Sequence, residues 1–199
     1  MRYQTKGKGL ELLSNNESKN KNAPILVVVM GVSGCGKTTL AQAIANHLDL
    51  TLLDADSFHS EDATKQMSAG NPLTDEQRAP WIDRICKQLH QLELQNKSCV
   101  LAYSGLKQQH RQLIFGSYHH SVGVLLEAAQ ALIAQRMADR EEHFMSPQLL
   151  SSQIAPMEPI NESALEHIEL LRLNAAEPID NSLLKSIDFI GERISKVTN

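Results

Sequence analysis

The stretch Gly31-Val32-Ser33-Gly34-Cys35-Gly36-Lys37-Thr38 limits what this chain can fold into more than any other, because of what flanks it. Before it runs Ile25-Leu26-Val27-Val28-Val29-Met30, six apolar residues rich in Val that predict a buried parallel strand. After it, Thr38 to Ala45 predicts a helix. The spacing G-x-x-x-x-G-K-[ST] between a strand and a helix is that of a phosphate-binding loop. Its glycines let backbone N–H groups converge on one point, and the helix N-terminus favours an anion there. Gly31 through Thr39 therefore predict the nucleotide site, with Lys37 on the β- and γ-phosphates and the Thr38 hydroxyl on Mg²⁺. ATP and Mg²⁺ are the expected cofactors. A Gly-rich turn matching the pattern by chance would lack the strand and the helix.

The 199 residues suit one domain with a sizeable core. Residues 1–23 are polar and predict a loose tail, leaving 24–199 as a single domain with a lid at about 141–159. A formal net charge of -4 argues against a nucleic-acid partner. No apolar run reaches membrane-spanning length, so no membrane partner is expected. Cys35, Cys86 and Cys99 show no C-x-x-C spacing and leave an odd count, as reduced thiols of a cytoplasmic protein would. Cys35, beside a helix N-terminus and a lysine, is expected to be the most reactive of the three.

Further strands are predicted at 50–54, 99–103, 122–126 and 168–173. Helices are expected at 60–70, from Thr74 to about Gln95, at 107–114 and 128–140, with a closing amphipathic helix through Leu183, Ile187, Ile190 and Ile194. Strands alternating with helices imply an α/β fold: a parallel sheet with helices on both faces and its crevice at the strands' carboxyl ends. A short helix is expected at 148–154, within the segment broken by Pro147, Pro156 and Pro159.

The polar residues of interest follow strands. Asp54 and Asp56, one residue apart beside the predicted phosphate site, suit a metal-bound water and a base for a substrate hydroxyl. An Asp-rich turn capping the next helix is the competing reading. His59 suits a hydroxyl or a carboxylate, or else a plain turn. Lys65, Arg78, Lys107 and Arg111 put cations on the same side, equipping it for an anionic substrate unless they are solvated face residues. Arg136 and Arg140, spaced i, i+4, lead into the Pro-broken segment with His143 and suit a lid that closes over a triphosphate.

Together these segments resemble the gluconate kinases of the phosphate-loop kinase superfamily. The likeness rests on Gly31 to Thr38, Asp54-Ala-Asp-Ser-Phe-His59, Lys65 to Asp75, Arg78-Ala-Pro-Trp81, Ser104-Gly-Leu-Lys107 with Arg111, and Arg136 to Gln153. It implies a nucleoside-kinase-like fold, a homodimer, and transfer of the ATP γ-phosphate to the 6-hydroxyl of D-gluconate. It further implies Asp56 facing that hydroxyl and Asp54 near Mg²⁺. His59, Lys65, Arg78, Lys107 and Arg111 then fall in the sugar-acid site, and Arg136 and Arg140 on ATP. Two departures touch the pocket: Tyr103 and Gly105 replace the family's usual Cys and Ala. A kinase for another sugar acid, or a nucleotide-binding regulator without turnover, is the alternative.

Overall fold

All six residues of β1 (Ile25–Met30) are buried, as a strand covered on both faces must be. The computed structural model describes residues 23–138, 158–161, 165 and 168–198. Residues 1–22 of the expected tail, Arg140, His143, the helix expected at 148–154 and all of the lid before 158 lie outside the described residues.

From β1 the chain passes through α1 (Lys37–Leu48), β2 (Thr51–Asp54), a 3₁₀ turn (Ala55–Phe58), α2 (Glu61–Ser68) and α3 (Asp75–Leu94). It continues through β3 (Cys99–Tyr103), α4 (Gln108–Phe115), β4 (His120–Glu127), α5 (Gln130–Ala138), β5 (Glu169–Asn174) and α6 (Ile179–Thr198). Among the described residues the strands form one parallel sheet in the order β2-β3-β1-β4-β5. Every strand and helix expected within the described residues is present. β2 starts one residue later than expected, and α6 extends past its apolar ladder at both ends.

Alternation along β1 divides the core. Ile25, Val27 and Val29 join Leu40, Ala41 and Ile44 of α1 and Ile190 of α6 on one face. Leu26, Val28 and Met30 join Trp81, Ile82, Ile85 and Leu89 of α3 and Ile114 of α4 on the other. The start of α3 is set locally by a capping box. Thr74 Oγ1 accepts from Gln77 N–H at 3.3 Å, while Gln77 Oε1 accepts from Thr74 N–H at 2.9 Å. Pro80 lies on the exposed side of that helix.

β1 is the central strand, with β3 and β4 as its neighbours. Chain leaving β1 crosses toward β2, whereas chain leaving β3 crosses to β4 on the far side of β1. Such a reversal opens a crevice at the carboxyl end of the sheet, where β1 delivers Gly31 to Lys37.

Candidate active site

The turn between β1 and α1 is tight because its two ends nearly touch. At Gly31 (φ 146°) an added Cβ would stand 2.6 Å from both Cys35 Sγ and Leu126 O, so no side chain fits. Gly36 is the N-cap of α1 and offers no side chain to its first turn. The N–H groups there are left for an external acceptor, which is the electrostatic requirement of a phosphate site. Lys37 folds back over the loop, its Nζ donating to Val32 O at 3.1 Å.

Cys35 departs from its expected role. It is 2% exposed, with its sulfur beneath Gly31, and burial pushes its thiol up despite the opposing pull of Lys37 and Arg136. Desolvation of a thiolate outweighs two nearby cations here. Cys99 is also buried and pushed up to about 11, leaving half-buried Cys86 as the most exposed thiol.

At the end of β2, Asp54 organises the next turn. Its Oδ1 accepts from Asp56 N–H at 3.0 Å, and its carbonyl accepts from Ser57 Oγ at 2.7 Å. Its Oδ2 accepts from Thr38 Oγ1 at 3.0 Å, tying the carboxylate to the start of α1. Asp54 caps the turn and also faces the start of α1 through Thr38. Thr38 and Asp54 thus present two hard oxygens side by side. That donor set fits Mg²⁺, which takes one or two protein oxygens and completes its shell with phosphates and water. Asp56 is exposed on the same turn.

The turn is pinned from α3. Trp81 donates from Nε1 to Ala55 O at 2.7 Å, and Arg84 from Nε to Phe58 O at 2.8 Å. The ring of His59 stacks on Trp81, centroids 4.3 Å apart and planes 14° apart, and Trp81 in turn meets Tyr103 at 5.7 Å. Burial, with Arg84 and Arg78 nearby, lowers His59 to about 4, so it is neutral at pH 7. Its Nδ1 is buried without a hydrogen-bond partner among the described residues.

The remaining cations separate into three situations. Arg78 and Lys107 join a cluster: Arg78 Nη1 lies 2.8 Å from Asp75 Oδ1, and Lys107 Nζ lies 3.6 Å from Asp75 Oδ2 and 3.4 Å from Glu158 Oε1. The Arg78 hydrogen bond, followed by Lys107, holds Asp75 below the usual carboxylate range. Lys65 stands on α2 with its side chain 74% exposed, paired at 4.0 Å with Glu61 of its own helix.

Arg111 was expected among the substrate contacts, but it is fully buried. Its guanidinium donates to the carbonyls of Gly105, Glu158 and Pro159 and to Gln108 Oε1. With Nε, Nη1 and Nη2 each bonded to protein acceptors, Arg111 forms the wall behind the cluster. It also orders the left-handed turn at Gly105 (φ 68°), where a Cβ would stand 3.1 Å from Met30 Sδ.

Across the phosphate loop, Arg136 of α5 donates to Cys35 O at 3.2 Å and to Ala175 O at 2.8 Å. It walls a cavity of about 210 Å³ with Gly34, Gly36, Thr39, Ala175 and Ile179. A flat guanidinium and an apolar residue beside a phosphate loop suit an aromatic nucleobase.

Comparison with known proteins places this arrangement. A model described as an AAA domain matches residues 26–159. A gluconokinase of Gluconobacter oxydans (strain 621H) is 35% identical over 146 residues, 73% of this chain and 82% of the relative. The chain belongs to the gluconokinase family. A gluconokinase of Arabidopsis thaliana is 38% identical over 149 residues, 68% of this chain and 79% of that one. Among solved structures, a gluconokinase from Sinorhizobium meliloti 1021 aligns with a TM-score of 0.72 at 28% identity, covering 89% of this chain and 95% of its own. A sugar kinase from Janibacter sp. HTCC2649 aligns at 0.78 with 31% identity, covering 84% and 95%. The expected α/β phosphate-loop kinase fold is borne out by both.

Two features of this gluconokinase-family site escaped the sequence reading. Glu158 sits between Met157 and Pro159 with no local motif, fifty positions from the Gln108 N–H it binds. The His59–Trp81–Tyr103 stack joins three elements, and no residue spacing encodes it.

Proposed function

We propose that this chain transfers the γ-phosphate of ATP to the 6-hydroxyl of D-gluconate, giving 6-phospho-D-gluconate and ADP. The observation that carries the reading is the junction of Thr38 with Asp54 at 3.0 Å, one residue from Asp56. It brings a phosphate site, a metal-fitting oxygen pair and a carboxylate suited to be a base onto one edge of the sheet. In this mechanism Lys37 and the loop N–H groups, Gly31 to Thr39, cradle the phosphates, and the cavity beside Arg136 takes the nucleoside. Thr38 and Asp54 would hold Mg²⁺, which when bound offsets charge on the phosphate oxygens. Asp56 accepts the proton as the 6-oxygen bonds to the γ-phosphorus. The bond from that phosphorus to the bridging oxygen breaks, and ADP departs with its electron pair. Arg140 stabilises charge on the transferring group.

Neutral His59, with Lys65, Arg78 and Lys107, holds the sugar acid, and Arg111 backs Lys107 from inside. The active form is a cytoplasmic homodimer. No helix among the described residues is long and apolar enough to cross a membrane.

A second reading, a kinase for a different sugar acid, is favoured by one observation: the bulky ring of Tyr103 stands against Trp81. A coupled assay of ADP release over a panel of sugar acids tests both. The highest kcat/KM is expected with D-gluconate. Turnover of another aldonate without gluconate selects the second reading, and tight ATP binding without turnover selects a regulator.

A further inference from the structure

We propose that Glu158 is a positioning residue for the sugar acid, acting through Lys107; the inference rests on the function proposed above. α4 begins without a cap from its own N-cap residue, Lys107. The missing acceptor comes from Glu158, whose Oε2 takes the Gln108 N–H at 2.6 Å. The same carboxylate reaches Lys107 Nζ at 3.4 Å through Oε1. Asp75 reaches that ammonium from the start of α3 at 3.6 Å. Lys107 is thereby held by two carboxylates, from α3 and from the segment at Glu158.

The main chain of Glu158 is fastened too. Its N–H donates to Leu106 O at 2.8 Å, and its carbonyl accepts from Arg111 at 3.1 Å. Arg111 also reaches Gly105 O, so Glu158 and Arg111 between them hold each residue from Gly105 to Gln108. The helix N–H, with Lys107 and Arg111, keeps the Glu158 carboxyl below the usual range, so it is ionised at neutral pH.

Lys107 is a long, flexible cation that would otherwise sample many rotamers. A pair of fixed carboxylates narrows those rotamers before substrate arrives. The two carboxylates hold the ammonium by charge, at 3.6 and 3.4 Å, and its N–H groups can turn to an incoming oxygen. Glu158 makes no claim on the substrate itself. Its contribution is the place of Lys107, which puts its effect in substrate binding rather than in the chemical step.

The test is a double-mutant cycle in the full chain, with kcat, both KM values and the thermal midpoint measured for each variant. Glu158→Gln keeps an oxygen for the Gln108 N–H and removes the charge facing Lys107. It should raise the D-gluconate KM by about 3- to 30-fold, within the range of coupled neighbours, while the ATP KM stays within about twofold. Lys107→Ala should raise the gluconate KM, and adding Glu158→Gln to it should raise it no further. Glu158→Asp should recover part of the loss, and it carries the test if Glu158→Gln does not fold.

Additive effects, an equal rise in the ATP KM, or an unchanged or lowered gluconate KM would each overturn the proposal. If the wild type turns over gluconate and the cycle is additive, this inference fails alone. A wild type that releases no ADP with any sugar acid defeats the functional reading and this inference together.

Discussion

Each reactive side chain in this site owes its chemistry to what surrounds it more than to its residue type. Asp56 is the residue proposed to take the substrate proton. Asp56→Asn keeps shape and hydrogen bonding, so kcat should fall by about 10² to 10⁴ while ATP affinity, measured by calorimetry, is retained. A near wild-type rate would shift the catalysis to charge stabilisation alone. The thiols make the opposite point. Cys35 beside Lys37 looks activated in sequence, yet its burial raises the thiol and hides it. Brief iodoacetamide treatment followed by peptide mapping should label Cys86 first, with Cys35 and Cys99 protected. A first label on Cys35 would mean that the phosphate loop opens in solution.

At the scale of elements, α3 does the most to shape the substrate side. Its N-terminus carries Asp75 and Arg78, and its second turn carries Trp81, which fastens the 3₁₀ turn bearing Asp56. Trp81→Phe keeps an aromatic ring against His59 but leaves Ala55 O without the indole donor. Urea unfolding should show a loss of about 1–3 kcal/mol, the cost of an unsatisfied buried acceptor. Because the turn then loosens, the gluconate KM should rise while the ATP KM, set across the sheet by the phosphate loop, holds. The helices were legible in sequence because their signals are short in range. Thr74 and Gln77 form their capping box three residues apart, and the apolar ladder of α6 repeats within two turns.

For the molecule as a whole, the carboxylates of the Asp75–Glu158 cluster link stability to pH. Both have folded pKa values held below their ordinary values of 3.8 and 4.5, by Arg78 first at Asp75 and by the Gln108 N–H first at Glu158. A depressed carboxylate contributes stability that is complete above its unfolded pKa and is lost as pH falls through its folded one. Thermal midpoints should therefore be insensitive to these groups from about pH 5 to 7, then drop as pH falls below about 4.5. Glu158→Gln should flatten part of that drop. An unchanged acid limb in this variant would show that the cluster contributes nothing to acid stability, as exposed pairs in water sometimes do.

The strand, the phosphate loop and the parallel α/β architecture were determined by the sequence alone. So was the appearance of Asp54 and Asp56 at a strand end. Each of these rests on residues within a few positions of one another, where backbone geometry leaves few choices: Gly31 admits no side chain, and β1 is apolar on both faces. Only the tertiary structure decided which way individual polar side chains turn and what they meet. It sent the Cys35 sulfur under Gly31 and buried Arg111 against four acceptor groups. It also brought Glu158 to α4 and Arg136 to the carbonyl of Cys35, 101 positions away in the chain. A single thiol in a loop, or a single cation on a helix, carries no periodicity that names its partners. Packing decides it, because a side chain that loses water must find its partners wherever the fold supplies them.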